Sequence, residues 1–336
     1  MIRTPVCDLL GIDLPIFLGG MGSIYSPPLV AAVSNAGGLG AMGCHSLTAD
    51  QVRAGTAAIR RQTDKPFALS FLIFDLLEES FAAALALKPA VMAFAWPRPE
   101  QDIKSCIGRA HAAGCKVTFM AGGVQEAKRA ALCGADVIIA QGTEGGGHVG
   151  WQASMALVPM VVDAVAPIPV LAAGGIADGR GLAAALALGA DGVLLGTRFL
   201  ASDESPLHVN FKQAIVESDG HDTLLSEIPD IAAGKVWPGA MSRSRRNRFI
   251  ERWAGREWAL RQRQAEALAQ IRAAREIGDA NEAPLSMGQD AGLIHDIAPA
   301  GEIVRRIAAE AERILRERLP HMLQPETGAT AARRAS

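Results

Sequence analysis

Residues 168–200 read IPVLAAGGIADGRGLAAALALGADGVLLGTRFL, and this stretch decides the fold class. An apolar, β-branched run at 168–172 ends in Gly174-Gly175. An Ala/Leu-rich helical stretch follows at 178–188, Gly189 stops it, and a second apolar run occupies 192–195. Glycine takes a left-handed backbone without steric cost, so it marks the points where one element gives way to the next. A strand, a helix and a strand in this order make a parallel pair joined by a right-handed crossover.

Working outward, the same order recurs upstream: AGGV at 121–124, a helical stretch, then GADVII at 134–139, beside AGGI at 173–176 and GADGVLLG at 189–196. The recurrence reads as a repeated helix-to-strand connection rather than a duplicated function. Candidate strands fall at 14–18, 39–42, 67–71, 90–94, 116–120, 136–140, 168–172 and 192–195. Helical stretches fall at 27–36, 48–61, 77–87, 100–113, 124–133, 154–165, 178–188 and 205–217. Strict alternation of this kind predicts an α/β fold whose eight units close into a (β/α)8 TIM barrel, with a doubly wound open sheet as the alternative.

Composition narrows the function. The chain has 336 residues, 49% hydrophobic and 20% charged, with 33 Lys and Arg against 35 Asp and Glu. A formal charge of -2 offers no excess of cations for a phosphate backbone, which argues against nucleic acid. The five cysteines are scattered without a C-x-x-C pair, so neither a disulfide framework nor a structural zinc site is expected, and a reducing, cytoplasmic setting fits. No secretory signal is visible in MIRTPVCDLLGI. The longest apolar stretch, 182–200, is broken by Gly189, Asp191, Gly192, Gly196 and Arg198, so no membrane span is expected.

Beyond residue 200 the pattern changes. Residues 241–276 are Arg-rich with interspersed Phe249, Ile250, Trp253 and Trp258, a polar linker follows at 278–284, and an amphipathic helix is expected from Ala300 to Leu319. The expected organisation is a barrel from 1–218 and 286–319, a mainly helical insertion over its mouth at 219–285, and a disordered tail at 320–336.

In a parallel barrel the chemistry sits on loops after the strand C-termini. Gly174 and Gly175 follow the seventh candidate strand, and Gly196 with Thr197 follows the eighth. Backbone N–H groups at such turns suit a phosphate, against the plainer reading that these glycines only make tight turns. After the sixth strand, QGTEGGGHVG at 141–150 places three glycines, Gly145 to Gly147, before His148. Those glycines admit a flat ligand close to the backbone, and His148 can donate to an anion or take a proton from a carbon acid near neutral pH. Glu144 either orients this loop or caps a helix. His45, His111, His208, His221, His295 and His321 have no comparable setting and read as surface residues. After the first strand, Gly19, Gly20, Met21 and Gly22 form a permissive turn, where Met21 either fills the core or lies against a ring system.

PIFLGGMG at 15–22, PPLVAAVSNAGGLGAMG at 27–43, QGTEGGGHVG, the stretch 168–200 and SMGQDAGLIHDIAPAGEIV at 286–304 together resemble the nitronate monooxygenases, formerly called 2-nitropropane dioxygenases. The resemblance spans about residues 14–319, and flavin-dependent enoyl-acyl-carrier-protein reductases of the FabK type share the same segments. It implies a TIM barrel holding FMN, with the phosphate on Gly174, Gly175, Gly196 and Thr197 and the ring near Met21, Ser70 and Gln289. Gly20, Gly22, Gln141, Gly146 and Gly147 complete the expected cofactor set, and His148 corresponds to the active-site histidine. Two departures stand out: Asn is common in the family where this chain has Ser70, and a polar or cationic residue occurs in some members near Met120. Trp96 is also bulkier than the small residue usual at its place.

The leading expectation is therefore FMN-dependent oxidation of alkyl nitronates, and of nitroalkanes if His148 removes the α-proton. Oxygen is the co-substrate, the products are a carbonyl compound and nitrite, and a homodimer is an assembly left open. Two alternatives remain. One is NADH-dependent reduction of an enoyl thioester on acyl carrier protein, with Arg243, Arg245, Arg246 and Arg248 as a basic patch. The other is a barrel that binds flavin or another phosphate ligand without turnover.

Overall fold

The computed structural model describes residues 2–21 and 24–323. Eleven strands follow in chain order: β1 Ile16–Leu18, β2 Gly40–Gly43, β3 Phe67–Leu72, β4 Val91–Ala95, β5 Lys116–Ala121, β6 Val137–Gln141, β7 Gly147–Val149, β8 Val170–Ala173, β9 Gly192–Leu195, β10 Thr223–Ser226 and β11 Met241–Arg245. Eight of them form one parallel sheet in the order β1-β9-β8-β6-β5-β4-β3-β2. The sheet closes on itself where Phe17 bridges Leu39, with Leu18 N donating to Leu39 O at 2.9 Å and Leu39 N to Ile16 O at 3.0 Å. The expected TIM barrel is present, and the open-sheet alternative is not.

Alternation along the strands separates two apolar layers. Val137 and Ile139 of β6 point inward with Phe17, Leu39, Ala68, Val91 and Leu171, while Ile138 and Ala140 pack outward against the helices. The inner layer is plugged by the helix Pro5–Leu10, which contributes Val6, Cys7 and Leu10. That helix is absent from the sequence reading; at six residues it is too short to show a helical period. Outside the barrel, Phe81 of helix Glu78–Ala86 meets Phe71 and Phe94 edge to face at 5.6 and 5.8 Å.

The repeated Gly-Ala-Asp has a structural cause. Asp136 N donates to Val117 O at 2.9 Å while its carboxylate accepts Val117 N at 2.8 Å. Asp191 does the same two units later, with Val170 O at 2.6 Å and Val170 N at 3.0 Å. Each aspartate thus ties the entry of its strand to the neighbouring strand.

Residues 219–285 hold the helices Ile228–Ala233, Arg248–Trp253, Glu257–Gln262 and Gln264–Ile277, but also two strands. β10 pairs antiparallel with β11, and β11 with β7, so a three-stranded sheet joins the insertion to the segment after β6. The strand MSRSR escapes pattern reading because its buried residues, Ser242, Arg243 and Ser244, are all polar. Helix Ala300–Arg313 packs Ile303, Val304, Ile307 and Ala311 against the outer helices. Residues Leu319–His321 extend its end as helix, and 324–336 lie outside the described residues, as does Gly22. No helix among the described residues is long and apolar enough to cross a membrane.

Candidate active site

The parallel strands all end at one rim, and the glycine turns meet there. Gly174 (φ 91°) and Gly175 (φ 75°) follow β8 in a left-handed conformation. A Cβ on Gly174 would stand 2.7 Å from Gly142 O, and one on Gly146 only 2.5 Å from the backbone carbon of Met287. Glycine is therefore required at both positions by close backbone approach. Thr197 Oγ1 accepts Gly288 N at 2.9 Å, and Gln289 N donates to Glu144 O at 2.9 Å, so the loop 286–292 is fastened to the turns after β6 and β9.

The other expected cofactor residues gather at the same rim. Gly20 abuts Ser70 so closely that a Cβ would lie 2.3 Å from the Ser70 Cβ, and Met21 Sδ lies 3.7 Å from the Cβ position of Gly196. Gln141 ends β6, opposite Ala173, and its buried Oε1 has no hydrogen-bond partner among the described residues. The Gln289 side chain is exposed, although its backbone is held. Glu144 accepts both N and Oγ of Ser154 at 3.0 Å, which ties the loop after β6 to the start of helix Ser154–Val165.

His148 does not project from an irregular loop. It lies on β7, where Ser242 of β11 is its register partner. Its Nε2 is 2.8 Å from Asp230 Oδ1, and both side chains are largely buried. The indole of Trp237 covers one ring face, and it also packs on Phe74 at 4.7 Å and on Trp96 at 5.9 Å. Trp96 holds a positive φ of 54°, a strained setting for a side chain of its size. Trp96 and Met120, which depart from the family pattern, both pack in this cluster with Phe74 and Trp237.

Two ionisable groups at the rim are displaced from their ordinary behaviour. Burial, with Lys235 and His148 adding repulsion and Asp75 opposing, pulls His45 down to about 4, so it is neutral near pH 7. The expectation that His45 is an ordinary surface residue is thus corrected. The loop after β2 turns it in toward the mouth, where Lys235 Nζ sits 3.0 Å from Asp75 Oδ2. Burial, reinforced by Glu144, pushes Asp290 up to about 7, and its Oδ1 has no partner among the described residues.

Sequence reasoning missed Asp230 and Trp237. Both lie in SEIPDIAAGKVWPG at 226–239, which carries no spacing signal. The basic cluster is largely spent on internal pairs: Arg245 with Asp222 at 3.0 Å, Arg246 with Glu251 at 3.3 Å, and Arg248 with Glu282 at 3.3 Å. Arg243 is buried against Thr143 O and Thr223 Oγ1.

Comparison with known proteins adds a lineage to this geometry. A profile of the nitronate monooxygenase family matches residues 3–86 and 79–310. The chain is 32% identical over 361 residues to a probable nitronate monooxygenase of Staphylococcus aureus, covering 93% of this chain and 98% of that one. It is also 39% identical over 228 residues to a carboxyl-CoA dehydrogenase of Mycobacterium tuberculosis acting on a 5-hydroxy-7a-methyl-1-oxo-octahydro-1H-indene-4-carboxyl group. That match covers 67% of this chain and 63% of the relative's length. The solved structure of FabK from Thermotoga maritima superposes with a TM-score of 0.86 at 35% identity, covering 96% of this chain and 100% of that one. Nitroalkane oxidase from Streptomyces ansochromogenes gives a TM-score of 0.79 at 29% identity, covering 92% and 98%. These likenesses bear out the resemblance read from the sequence and the expectation of an enzyme. The chain belongs to the nitronate monooxygenase family, a family of flavin-dependent oxidoreductases.

Proposed function

We propose that this protein binds FMN and oxidises alkyl nitronates to a carbonyl compound and nitrite, with molecular oxygen as oxidant. The observation that carries the reading is the junction of two features at one rim. The glycine cradle of Gly146, Gly174 and Gly175 stands beside a largely buried histidine that bonds Asp230 and is covered by the Trp237 indole. The residues fit a flavin: left-handed glycines for a phosphate, and an orphaned Gln141 Oε1 that needs a donor. Gly174, Gly175, Gly196 and Thr197 would hold the phosphate, and Gly20, Met21, Ser70 and Gln141 would flank the ring.

When bound, FMN supplies the electron acceptor. The chain supplies the rest. His148 takes the α-proton of a neutral nitroalkane on its free ring nitrogen; in the protonated ring that same N–H donates a hydrogen bond to the nitronate oxygen and orients the anion. Trp237, Trp96 and Phe74 exclude water and confine the alkyl group, which favours a small substrate.

A second reading, NADH-dependent reduction of an enoyl thioester, draws support from the likeness to FabK over nearly the whole chain. Anaerobic mixing of the holoprotein with propyl nitronate or with NADH separates the two. Bleaching of the flavin by nitronate supports the first, and bleaching by NADH alone overturns it. Bleaching by neither leaves a binding protein. His148→Ala should slow nitronate-driven bleaching while FMN stays bound.

A further inference from the structure

Segment 228–237 of the insertion reaches the barrel rim at three points. Asp230 meets His148 at 2.8 Å, Lys235 meets Asp75 at 3.0 Å, and Trp237 stacks on the imidazole. Asp230 is itself held in the short helix Ile228–Ala233: its N donates to Glu227 O at 3.0 Å, and Lys235 N donates to its O at 2.9 Å. Its carboxylate is nearly buried, only about a tenth of it reaching solvent.

We propose that Asp230 is a positioning residue for His148, accepting a hydrogen bond from Nε2–H so that Nδ1 is the nitrogen that works on the substrate. This rests on the reading above in which His148 meets the substrate. An ionised carboxylate can only accept, so Nε2 must carry hydrogen, and the neutral ring keeps its lone pair on Nδ1. With a nitroalkane the α C–H bond breaks, its electron pair stays on the substrate as nitronate, and the proton bonds to Nδ1. The resulting imidazolium then faces Asp230 as its counter-charge, while Trp237 holds the ring plane. The other charged or titratable groups near this corner include His45, Lys235 and Asp75, with Arg98 over the Phe74 ring and Arg243 in register with Gly147. The Lys235 charge is matched by Asp75, so Asp230 is the carboxylate that bonds the imidazole.

The test uses the FMN-loaded protein labelled with nitrogen-15 in histidine, with His148 identified by loss of its signals in His148→Gln. The expected spectrum shows His148 as the Nε2–H tautomer. Asp230→Asn, whose amide can donate, should mix or invert the tautomer, and Asp230→Glu should restore it. Kinetically, Asp230→Asn should lower kcat on neutral nitroalkane by on the order of 100-fold with little change in KM, and lower turnover of preformed nitronate far less. An Nδ1–H tautomer in the unaltered protein overturns the proposal, even if Asp230→Asn fails to fold. A tautomer in Asp230→Asn identical to that of the unaltered protein, or unchanged kcat despite an altered one, overturns it as well. If the unaltered holoprotein turns over neither nitroalkane nor nitronate, the functional reading fails, and the tautomer alone then decides the role of Asp230.

Discussion

The indole of Trp237 lies on the imidazole of His148 with ring centroids 3.3 Å apart and planes 11° from parallel. One residue comes from segment 219–285 and the other from β7, so the pair forms only when these distant segments of the chain meet. Trp237→Ala opens the wall formed with Phe74 and Trp96. Each methylene accommodated in an apolar pocket changes specificity by about 10-fold or more. The variant should therefore shift kcat/KM toward longer alkyl nitronates by about that factor relative to ethyl nitronate. An unchanged chain-length profile would remove Trp237 from the substrate boundary.

Gly174 and Gly147 both have positive φ, at 91° and 72°, but differ in surroundings. A Cβ at Gly174 meets Gly142 O at 2.7 Å, whereas one at Gly147 meets nothing within 4 Å. Gly174→Ala must push two loops of the cradle apart, and FMN affinity should fall by tenfold or more. Gly147→Ala carries only the left-handed backbone cost of about 1–2 kcal/mol, with FMN affinity little changed. Fluorescence titration of FMN into the two variants checks the contrast.

Asp290 makes stability depend on pH in a definite direction. Burial raises its carboxyl from 3.8 to about 7 in the folded chain. Between those values the unfolded chain has lost the proton that the folded chain keeps, so stability falls as pH rises and levels off above 7. Asp290→Asn removes this dependence. Its stability relative to the unaltered protein should climb from pH 4 to pH 7 by on the order of 4 kcal/mol, read from urea unfolding at several pH values. A difference independent of pH would show that the carboxyl does not titrate in this window.

How much of this was legible in advance follows from the range over which each feature is encoded. Every barrel strand was readable because its apolar run and flanking glycines lie within a few residues of one another; the run 67–71 became Phe67–Leu72, and 116–120 became Lys116–Ala121. The glycine turns after β6, β8 and β9 were readable for the same reason, since turn chemistry is local. The helix Pro5–Leu10 was too short to carry a period, and β11 presents a run of buried polar residues that alternation does not detect. His45 was misjudged because the charges that act on it, Lys235, Asp75 and His148, lie far away along the chain.

Local order along the chain thus determined the barrel, the rim where its loops converge, and His148 as the group to watch. Only the folded chain decided that Asp230, 82 residues away, would meet that imidazole, and that Trp237 would cover it. Periodicity and turn residues act through neighbours in sequence. The partners of a buried side chain are instead chosen when distant segments compete for the same space, and no short pattern records that outcome.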